Sequence, residues 1–415
     1  MYNKSTRIRL TNTIFVAESL NSASRIAIFT LLSIIAVELS GKESAAGLPS
    51  TTMTLAQALM ALPIGILMGR FGRRIGLTLS YSMSWIGVLL GLLAVIQGSF
   101  WLLLVSSAML GMGRAGSDQS RFAAGDMFPQ KDRARMIGRV VFAGVGGAIF
   151  GPLLVSPGTA LAARLGFDSN TGAYLIGIVL YMIATLLIFS LLRPEPMDIA
   201  REIAGDEKKK KVDEIERPSR SIRELLKLPR VQLAVLSMLI SQMVMVALMV
   251  ITPLHMHNYN YGTGAVSQVI MAHTLGMFGL SPLTGRIIDR YGRVPMMIAG
   301  AVTLVLSAII SPLSTTMPVL ALGLFLLGLG WNFGYIAGSS LLADALEGEE
   351  RAKMQGTNDM LVAGAAALGS FSSGLIFSVG GYVSVAGVGL VLALLFAWII
   401  WMLAASEPHI KTSAL

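Results

Sequence analysis

The chain has no cysteine, which excludes disulfides, thiol redox chemistry and thiolate metal sites. It is also poor in charge: Asp, Glu, Lys and Arg make up 13% of the 415 residues, and apolar residues make up 54%. Soluble domains carry about 25% charged residues, so this composition indicates a chain that lies in a lipid bilayer. The chain also lacks a Gly-Lys-Ser/Thr phosphate loop, which excludes ATP as a direct energy source. No nucleophile–base spacing is present, so we do not expect an enzyme.

Long apolar runs are what the sequence has instead. Twelve of them reach the roughly 18–25 residues that a membrane-spanning helix needs, and the alternation expected of barrel strands is absent. The first run is too long for a cleaved signal peptide. The sequence therefore predicts an all-α membrane protein. The twelve predicted spans are 11–37, 48–68, 75–97, 101–125, 138–162, 171–192, 229–254, 265–285, 294–311, 317–343, 355–379 and 383–405.

Basic residues lie mainly on one side of these spans. With the N-terminus inside, the inner segments hold 27 of the 32 Lys and Arg residues, and the outer loops hold two. This bias predicts that both termini are cytoplasmic in a prokaryotic cytoplasmic (inner) membrane. The net charge of +9 therefore reflects topology, and no nucleic-acid partner is expected.

The polar segment 193–228 predicts a cytoplasmic linker between two six-helix bundles, 1–192 and 229–415. Its end predicts a short amphipathic helix on the inner membrane surface, with Ser221 as its N-cap. We expect a tether between bundles, with regulation as the alternative.

The two halves of the chain also repeat each other. The segment 126–138 reappears as 344–356, and 70–73 reappears as 290–293. Each copy is a short basic bridge between apolar runs. A duplicated set of spans with repeated loops on one face is typical of transporters built from two halves.

Twelve spans in two halves, with these repeated loops, resemble the major facilitator superfamily over nearly the whole chain. The segment 285–293 is similar to that family's inner-loop signature of Gly, three residues, Asp, Arg, any residue, Gly and a basic residue. The first copy differs because Gly69 stands where the acid is usual, so it lacks the acid that the resemblance implies as a latch of the inner gate, although Asp126 can still pair with Arg73 or Arg74. The resemblance implies a gating motif at Gly65, Arg70, Gly72, Arg73, Asp126, Gly285, Asp289, Arg290, Gly292 and Arg293.

Gly147, Gly151 and Pro152 in span 5 resemble the motif of the proton-coupled drug antiporters in that family. The glycine pair that usually follows the proline is missing here. The alternative interpretation is close helix packing through small residues, with a proline kink.

Two polar stripes run along spans 1 and 4. The residues of each stripe are three or four positions apart, so they lie on one face of the helix. Ionisable side chains inside spans are costly and indicate function, and the resemblance implies that spans 1, 4, 7 and 10 line a central cavity. These stripes therefore predict proton coupling or substrate binding. The alternative is mutual neutralisation, of Glu18 by Arg114 or Arg121 and of Asp118 by Arg25 or its own-helix neighbours. The stripe residues are Glu18, Asn21, Ser22 and Arg25 in span 1 and Arg114, Asp118 and Arg121 in span 4.

The second half is less charged. Amides lie beside aromatics there, at Gln242, Trp331, Asn332 and Tyr335. This pattern suits a planar or amphipathic ligand, with aromatic packing as the alternative. His255 and His257 suggest a metal, but residues two apart do not share a helix face, so no metal site and no cofactor are predicted.

The resemblance implies a secondary transporter that works by alternating access. The preferred hypothesis is proton-coupled efflux of a small amphipathic compound, by a monomer with protons as the coupling ion. One alternative is uptake or exchange of an anionic metabolite, with Arg25 and Arg114 binding its carboxylate in a bidentate fork. Another is a non-transporting sensor on a transporter fold.

Overall fold

The computed structural model describes residues 3–208, 220–346 and 348–405, and all regular elements in these ranges are helices. The α-helices are α1 (Lys4–Ser40), α2 (Leu48–Phe71), α3 (Arg73–Gln97), α4 (Phe100–Ser117), α5 (Ser120–Asp126), α6 (Gln130–Arg164), α7 (Gly172–Leu191), α8 (Pro196–Lys208), α9 (Ile222–Leu225), α10 (Pro229–Asn258), α11 (Thr263–Phe278), α12 (Ser281–Tyr291), α13 (Arg293–Ile310), α14 (Met317–Ala345) and α15 (Gly348–Ala405).

The predicted spans correspond to these helices, which confirms the all-α, twelve-span architecture. Spans 4 and 8 are each built from two helices, α4 with α5 and α11 with α12. Spans 11 and 12 both lie in α15 and are separated at Gly381, whose φ of 64° and ψ of −165° interrupt the helix. A positive φ is strained for residues that carry a Cβ, so glycine suits this corner.

The two halves differ in where their spans break. Span 4 is interrupted at residues 118–119, whereas its repeat equivalent, α14, continues from Met317 to Ala345. Span 8 is interrupted at residues 279–280, whereas its equivalent, α2, continues from Leu48 to Phe71. The sequence repeat did not predict this asymmetry.

The chain divides into two compact units, which the linker separates. In the described residues, the first unit comprises 3–40 and 52–208, and the second comprises 41–51, 220–346 and 348–405. In the first unit, α1 packs against α6 and α7 and also contacts α3, α4 and α5. In the second, α10 packs against α14 and α15.

The short segment 41–51 belongs to the second unit because of its contacts. The Glu43 carboxylate accepts a hydrogen bond from Asn258 Nδ2 at 3.1 Å. The carbonyl of Gly47 accepts one from Ser370 Oγ at 2.8 Å.

The polar linker has more structure than its composition indicated. Its first part forms α8, which buries Ile199 and Ile203 in the first unit. Residues four apart lie on one helix face, and this short apolar pair was overlooked among charged neighbours. Residues 209–219 lie outside the described ranges.

The predicted N-cap at Ser221 is confirmed, although α9 is only one turn long. The Ser221 side chain accepts a hydrogen bond from the Glu224 backbone N–H, and the Glu224 carboxylate accepts one from the Ser221 backbone N–H. Such a capping box satisfies two backbone donors at a helix start. Arg220 beside it forms a bidentate ion pair with Glu350, with N–O distances of 2.9 and 2.8 Å, which lowers the pKa of Glu350 to about 2.

Candidate functional site

Glu18 is a buried acid that is held by neutral donors. Its carboxylate oxygens accept hydrogen bonds from Asn21 Nδ2, both at 3.1 Å, and from Tyr81 Oη at 3.1 Å. The Asn21 amide also donates to Ser117 Oγ at 3.3 Å, which connects α1 to α4. Within the described ranges no ion pair joins Glu18 to Arg114 or Arg121, so their neutralisation of Glu18 stays a prediction.

The two polar stripes place their acids in different surroundings. Asp118 Oδ2 accepts a hydrogen bond from Gln57 Nε2 at 2.8 Å and lies 3.6 Å from Arg114 Nε. The Asp118 and Arg114 side chains are 37% and 36% exposed, whereas Glu18 is 9% exposed. Asp118 follows the last residue of α4, so it lies at the break in span 4. Own-helix pairing was therefore the correct alternative for Asp118.

Arg25 has no carboxylate partner in the part of the chain that the structure describes. Its Nη2 lies 3.5 Å from Ser22 Oγ, which is the upper limit of a hydrogen bond. The guanidinium lies beside a small cavity lined by apolar side chains and by Tyr181. A half-buried cation of this kind can accept an anionic group of a ligand.

Arg121 forms no ion pair with Glu18 or Asp118 in the described chain. Its guanidinium carbon is 4.8 Å from the centroid of the Phe122 ring, and its Nε is buried without a hydrogen-bond partner among the described residues. The structure thus brings Glu18 and Asn21 together, and Arg114 and Asp118, but leaves Arg121 outside these clusters.

Two of the polar residues at the site were not predicted. Gln57 is an isolated amide in span 2, so a systematic search for single polar residues in apolar spans would have found it. Tyr81 carries no such signal, because a tyrosine in an apolar run is ordinarily a packing residue. Its role follows only from the contact between α1 and α3.

The second unit presents an aromatic cluster. Trp331 stacks on Tyr335, with ring centroids 4.7 Å apart and 24° between the planes, and contacts Phe278 edge-on at 6.0 Å. Trp331 Nε1 donates a hydrogen bond to Gln242 Oε1 at 2.8 Å. The three predicted residues Gln242, Trp331 and Tyr335 thus lie together, and Phe278 joins them. All four side chains are only partly buried, so ring surface remains accessible.

Asn332, in contrast, uses its side-chain amide for hydrogen bonds within the fold. Its Oδ1 accepts from Thr284 Oγ1 at 2.6 Å, and its Nδ2 donates to the Met277 carbonyl at 2.5 Å and to Ser281 Oγ at 2.8 Å. These partners flank the break between α11 and α12. The Asn332 amide therefore satisfies polar groups at a helix break, where a buried backbone group without a partner would be costly. These bonds give Asn332 a structural role, and its place in the substrate pathway stays a prediction.

The repeated loops form equivalent ion pairs in the two units. Arg73 Nη2 lies 2.8 Å from Asp126 Oδ2, and Arg293 Nη2 lies 2.8 Å from Asp344 Oδ2. The pairing expected for Asp126 is thus present. Asp289 is exposed and makes no ion pair within the described ranges, so in this structure the loop is held by other acids. Arg70 and Arg290 instead lie over the rings of Phe71 and Tyr291.

The glycines of the gating motif play unequal roles. Gly72 and Gly292 have φ values of 99° and 92°, which favour glycine at both turns. At Gly72, an added Cβ would also lie 2.8 Å from the Glu195 carboxyl carbon. Gly65 and Gly285 differ, because an added Cβ would meet nothing closer than 3.7 Å at either position.

Glu195 was missed by the sequence analysis. Its Oε1 accepts hydrogen bonds from the backbone N–H groups of Arg73, at 2.6 Å, and Arg74, at 3.2 Å. A carboxylate at a helix N-terminus satisfies free donors and complements the helix dipole. Glu195 thus supplies an acid to the loop in which Gly69 replaces the usual one. Only the fold brings residue 195 to this helix end.

The antiporter-like glycines lie against span 1. An added Cβ at Gly147 would lie 2.2 Å from Ser22 Oγ, and one at Gly151 would lie 2.8 Å from the Ala23 carbonyl. Close packing of α6 on α1 therefore requires both glycines. This contact supports the packing interpretation and places the motif beside the polar stripe of span 1.

A metal centre is not found among the described residues, where no three His, Asp or Glu side chains cluster suitably. His255 stacks on Tyr382 at 4.3 Å and contacts Tyr259 edge-on at 5.0 Å. His255 therefore belongs to an aromatic stack at the end of α10.

Comparison with known proteins gives a consistent result. A sequence model of the Major Facilitator Superfamily matches residues 14–280 and 234–414. The chain is 35% identical over 369 residues to the uncharacterized MFS-type transporter YdeG of Bacillus subtilis (strain 168), covering 88% of this chain and 85% of YdeG. It is 28% identical over 370 residues to the riboflavin transporter RfnT of Brucella anthropi, covering 88% of each.

Among solved structures, the fold is similar to that of a bacterial homolog of the human lysosomal transporter Spinster in an inward-facing, occupied conformation. The TM-score is 0.74 at 16% identity, and the match covers 99% of each chain. At this identity the likeness concerns the fold alone.

Proposed function

The chain belongs to the major facilitator superfamily, and on that premise we propose that it couples proton movement to the export of a planar, amphipathic organic compound. As a member of this family it is a multi-pass membrane transporter, a secondary carrier and not an enzyme. We place it in the cytoplasmic membrane of a bacterium, with both termini inside, and expect it to act as a monomer by alternating access.

The coordination of Glu18 is the observation that carries the proposal. A carboxylate that is paired with a guanidinium must break that pair before it takes up a proton. Glu18 accepts hydrogen bonds from the amide of Asn21 and the hydroxyl of Tyr81 and makes no ion pair in the described chain, although the charge of Arg25 on the same helix acts on it. It can therefore gain and lose a proton without breaking an ion pair, as a proton carrier requires.

The aromatic cluster of the second unit supports a planar ligand. Stacked and edge-on rings at Trp331, Tyr335 and Phe278 present π surface, and the Gln242 amide beside them can exchange its bond to Trp331 for one to a ligand. Planar heteroaromatic compounds bind through stacking and a few directed hydrogen bonds. The relative RfnT is named as a riboflavin transporter, and riboflavin belongs to this chemical class.

The export direction rests on the partial antiporter motif. Gly147, Gly151 and Pro152 resemble the motif of proton-coupled drug antiporters, and the two glycines pack against the helix that carries Glu18. Antiport would move the compound outward as protons enter.

A second candidate function follows from Arg25. Because this half-buried guanidinium has no carboxylate partner in the described chain, it can bind the anionic end of a substrate. Uptake or exchange of an anionic metabolite would use Arg25 in this way. Arg114 contributes less to this alternative because Asp118 lies 3.6 Å away.

A thermal-shift screen of the purified protein tests the substrate class. Ligands that bind the native state raise the melting temperature by mass action. We expect riboflavin and other planar amphipathic compounds to raise it, and the shift to disappear in Trp331→Leu. Phe100→Leu, which removes an aromatic ring outside the cluster, serves as control and should keep the shift. Shifts with aliphatic carboxylates alone, abolished by Arg25→Gln, would support the second candidate instead.

A further inference from the structure

A groove lies outside the candidate site, at the start of α1. Its volume is about 440 Å³, and it lies in the first unit between α1 and α7. None of its residues belongs to the polar cluster around Glu18: those on α1 lie on the opposite side of that helix at 100° per residue, and Leu187 and Leu191 lie on α7. The lining residues are Ser5, Ile8, Arg9, Asn12, Thr13, Val16, Leu187 and Leu191.

The groove is polar at one end and apolar at the other. Arg9, Asn12 and Ser5 lie toward the N-terminus of α1, and all three side chains are exposed. Val16 and Leu191 are also exposed, at 46% and 53%. Together with Leu187 they line this end of the groove with apolar surface, which a lipid acyl chain can contact. The groove therefore has the polarity profile of a single lipid molecule, with its headgroup at the helix start and its acyl chain along the helix.

The polar end of the groove is positively charged and has free donors. Arg9 Nη2 donates to the Arg193 carbonyl at 2.8 Å, which fixes the guanidinium at the mouth and leaves its other N–H groups available. The amide of Asn12 makes no hydrogen bond to the described residues. No acidic residue precedes Glu18 in the sequence, so no acid in the first turns of α1 offsets the positive charge of Arg9. Glu195, the acid close to Arg193, accepts a hydrogen bond from the backbone N–H of Arg73 at the N-terminus of α3.

We propose that this groove binds one anionic glycerophospholipid of the cytoplasmic leaflet, with the phosphate at Arg9 and Asn12 and an acyl chain along Val16, Leu187 and Leu191. Guanidinium groups bind phosphate through paired charge-assisted hydrogen bonds. Basic pockets between helices on the cytoplasmic side select anionic headgroups. A zwitterionic lipid would fill the apolar end equally well but would place a second cation beside Arg9.

Native mass spectrometry of the purified full-length protein tests the site, with phosphatidylglycerol and phosphatidylcholine as probes. Wild type should retain one phosphatidylglycerol in preference to phosphatidylcholine. Arg9→Gln should lower the affinity for phosphatidylglycerol about fivefold, which corresponds to about 1 kcal/mol for one basic residue at a membrane surface. Leu187→Trp, which fills the apolar end, should reduce retention of both lipids.

Two controls decide between occupants. Arg223→Gln removes a cation from an exposed position on α9, outside the groove, and should leave lipid retention unchanged. Inorganic phosphate at millimolar concentration should not displace the lipid. Equal retention of both lipids by wild type, or equal losses in Arg9→Gln and Arg223→Gln, would overturn the proposal. Displacement by phosphate would identify a free-anion site instead of a lipid site. If Arg9→Gln does not fold, Asn12→Leu provides the same comparison.

Discussion

Glu18 and Asp118 have the same functional group and opposite surroundings. Glu18 is buried and receives hydrogen bonds from the neutral side chains of Asn21 and Tyr81. Asp118 is more exposed and lies between Gln57 and the guanidinium of Arg114. A change of proton occupancy at Glu18 breaks no ion pair in the described chain, whereas a change at Asp118 alters its pair with Arg114. This difference favours Glu18 over Asp118 as the carrier in the proposed proton coupling.

Replacing Glu18 by glutamine should separate coupling from stability. The amide keeps an oxygen that can accept from Tyr81, so we expect a loss of about 1 kcal/mol in the free energy of unfolding, the net value of one hydrogen bond. Because the amide cannot take up a proton, the pH dependence of riboflavin binding should disappear. Thermal shifts measured at acidic and alkaline pH on the same preparation provide both quantities.

Glu38→Gln is the matched control, since it makes the same chemical change on the same helix. Glu38 is exposed and accepts a hydrogen bond from Asn170 at 2.6 Å, so its replacement should leave the pH dependence intact. If Glu38→Gln and Glu18→Gln behave alike, or if Glu18→Gln keeps its pH dependence, Glu18 is not the carrier.

The Arg114–Asp118 pair gives a second prediction. Both side chains are about one-third exposed, and pairs of this kind contribute about 0–1 kcal/mol. Asp118→Asn and the double variant Arg114→Gln/Asp118→Asn should therefore both fold with melting temperatures near that of wild type. Flux in proteoliposomes should fall in both variants. Recovery of proton-coupled flux in the double variant would show that the two residues only neutralise each other.

At the scale of elements, the break in span 8 is the feature that needs a specific side chain. Asn332 on α14 contacts Met277, Ser281 and Thr284, which lie on both sides of the break. In the first half Arg114 occupies the repeat position in α4, and α2, the repeat equivalent of span 8, has no break. The two halves thus use the same position of the repeat for different purposes.

Asn332→Leu should destabilise the protein by about 1–3 kcal/mol, because polar groups at the break lose their partners in a buried site. Asn358→Leu makes the same change at another buried asparagine of the second unit. Asn358 Oδ1 has no hydrogen-bond partner among the described residues, and its Nδ2 contacts only the Met238 sulfur at 3.4 Å. That substitution should cost less than about 1 kcal/mol. Melting temperatures of the two variants, measured in one detergent, make the comparison, and equal losses would contradict the role given to Asn332.

Helices were predictable from this sequence and their contacts were not. Apolar length alone gave all twelve spans, since a helix must satisfy its own backbone in lipid. The stripe of Glu18 and Asn21 also followed from helical spacing. The hydrogen bond from Tyr81 to Glu18 and the cap of Glu195 on α3 depend on which helices are neighbours, and spacing within one helix carries no such information. The break in span 8 did carry a sequence signal, because Gly279 lies at it and Pro282 follows at the start of α12, where a proline interrupts a continuous helix. The apolar length of the run led to one unbroken span being predicted instead.

For the molecule as a whole, the bias of basic residues predicts the orientation in the membrane. The chain has no cysteine, so single-cysteine variants can be labelled without background. Lys42→Cys, between α1 and α2, should react with a membrane-impermeant maleimide in intact cells. Arg201→Cys, on the exposed side of α8, should react only after the membrane is permeabilised, and the cysteine-free protein should not react. Labelling of Arg201→Cys in intact cells would reverse the proposed topology.

Flux of riboflavin against an imposed pH gradient tests the central claim most directly. An antiporter exchanges its substrate for protons, so proteoliposomes with an acidic lumen should accumulate riboflavin as protons leave. A protonophore should abolish the accumulation, and Glu18→Gln proteoliposomes should show none. Accumulation in vesicles with an alkaline lumen would indicate symport and therefore uptake. Accumulation that is independent of the gradient, or unchanged in Glu18→Gln, would contradict proton coupling through Glu18.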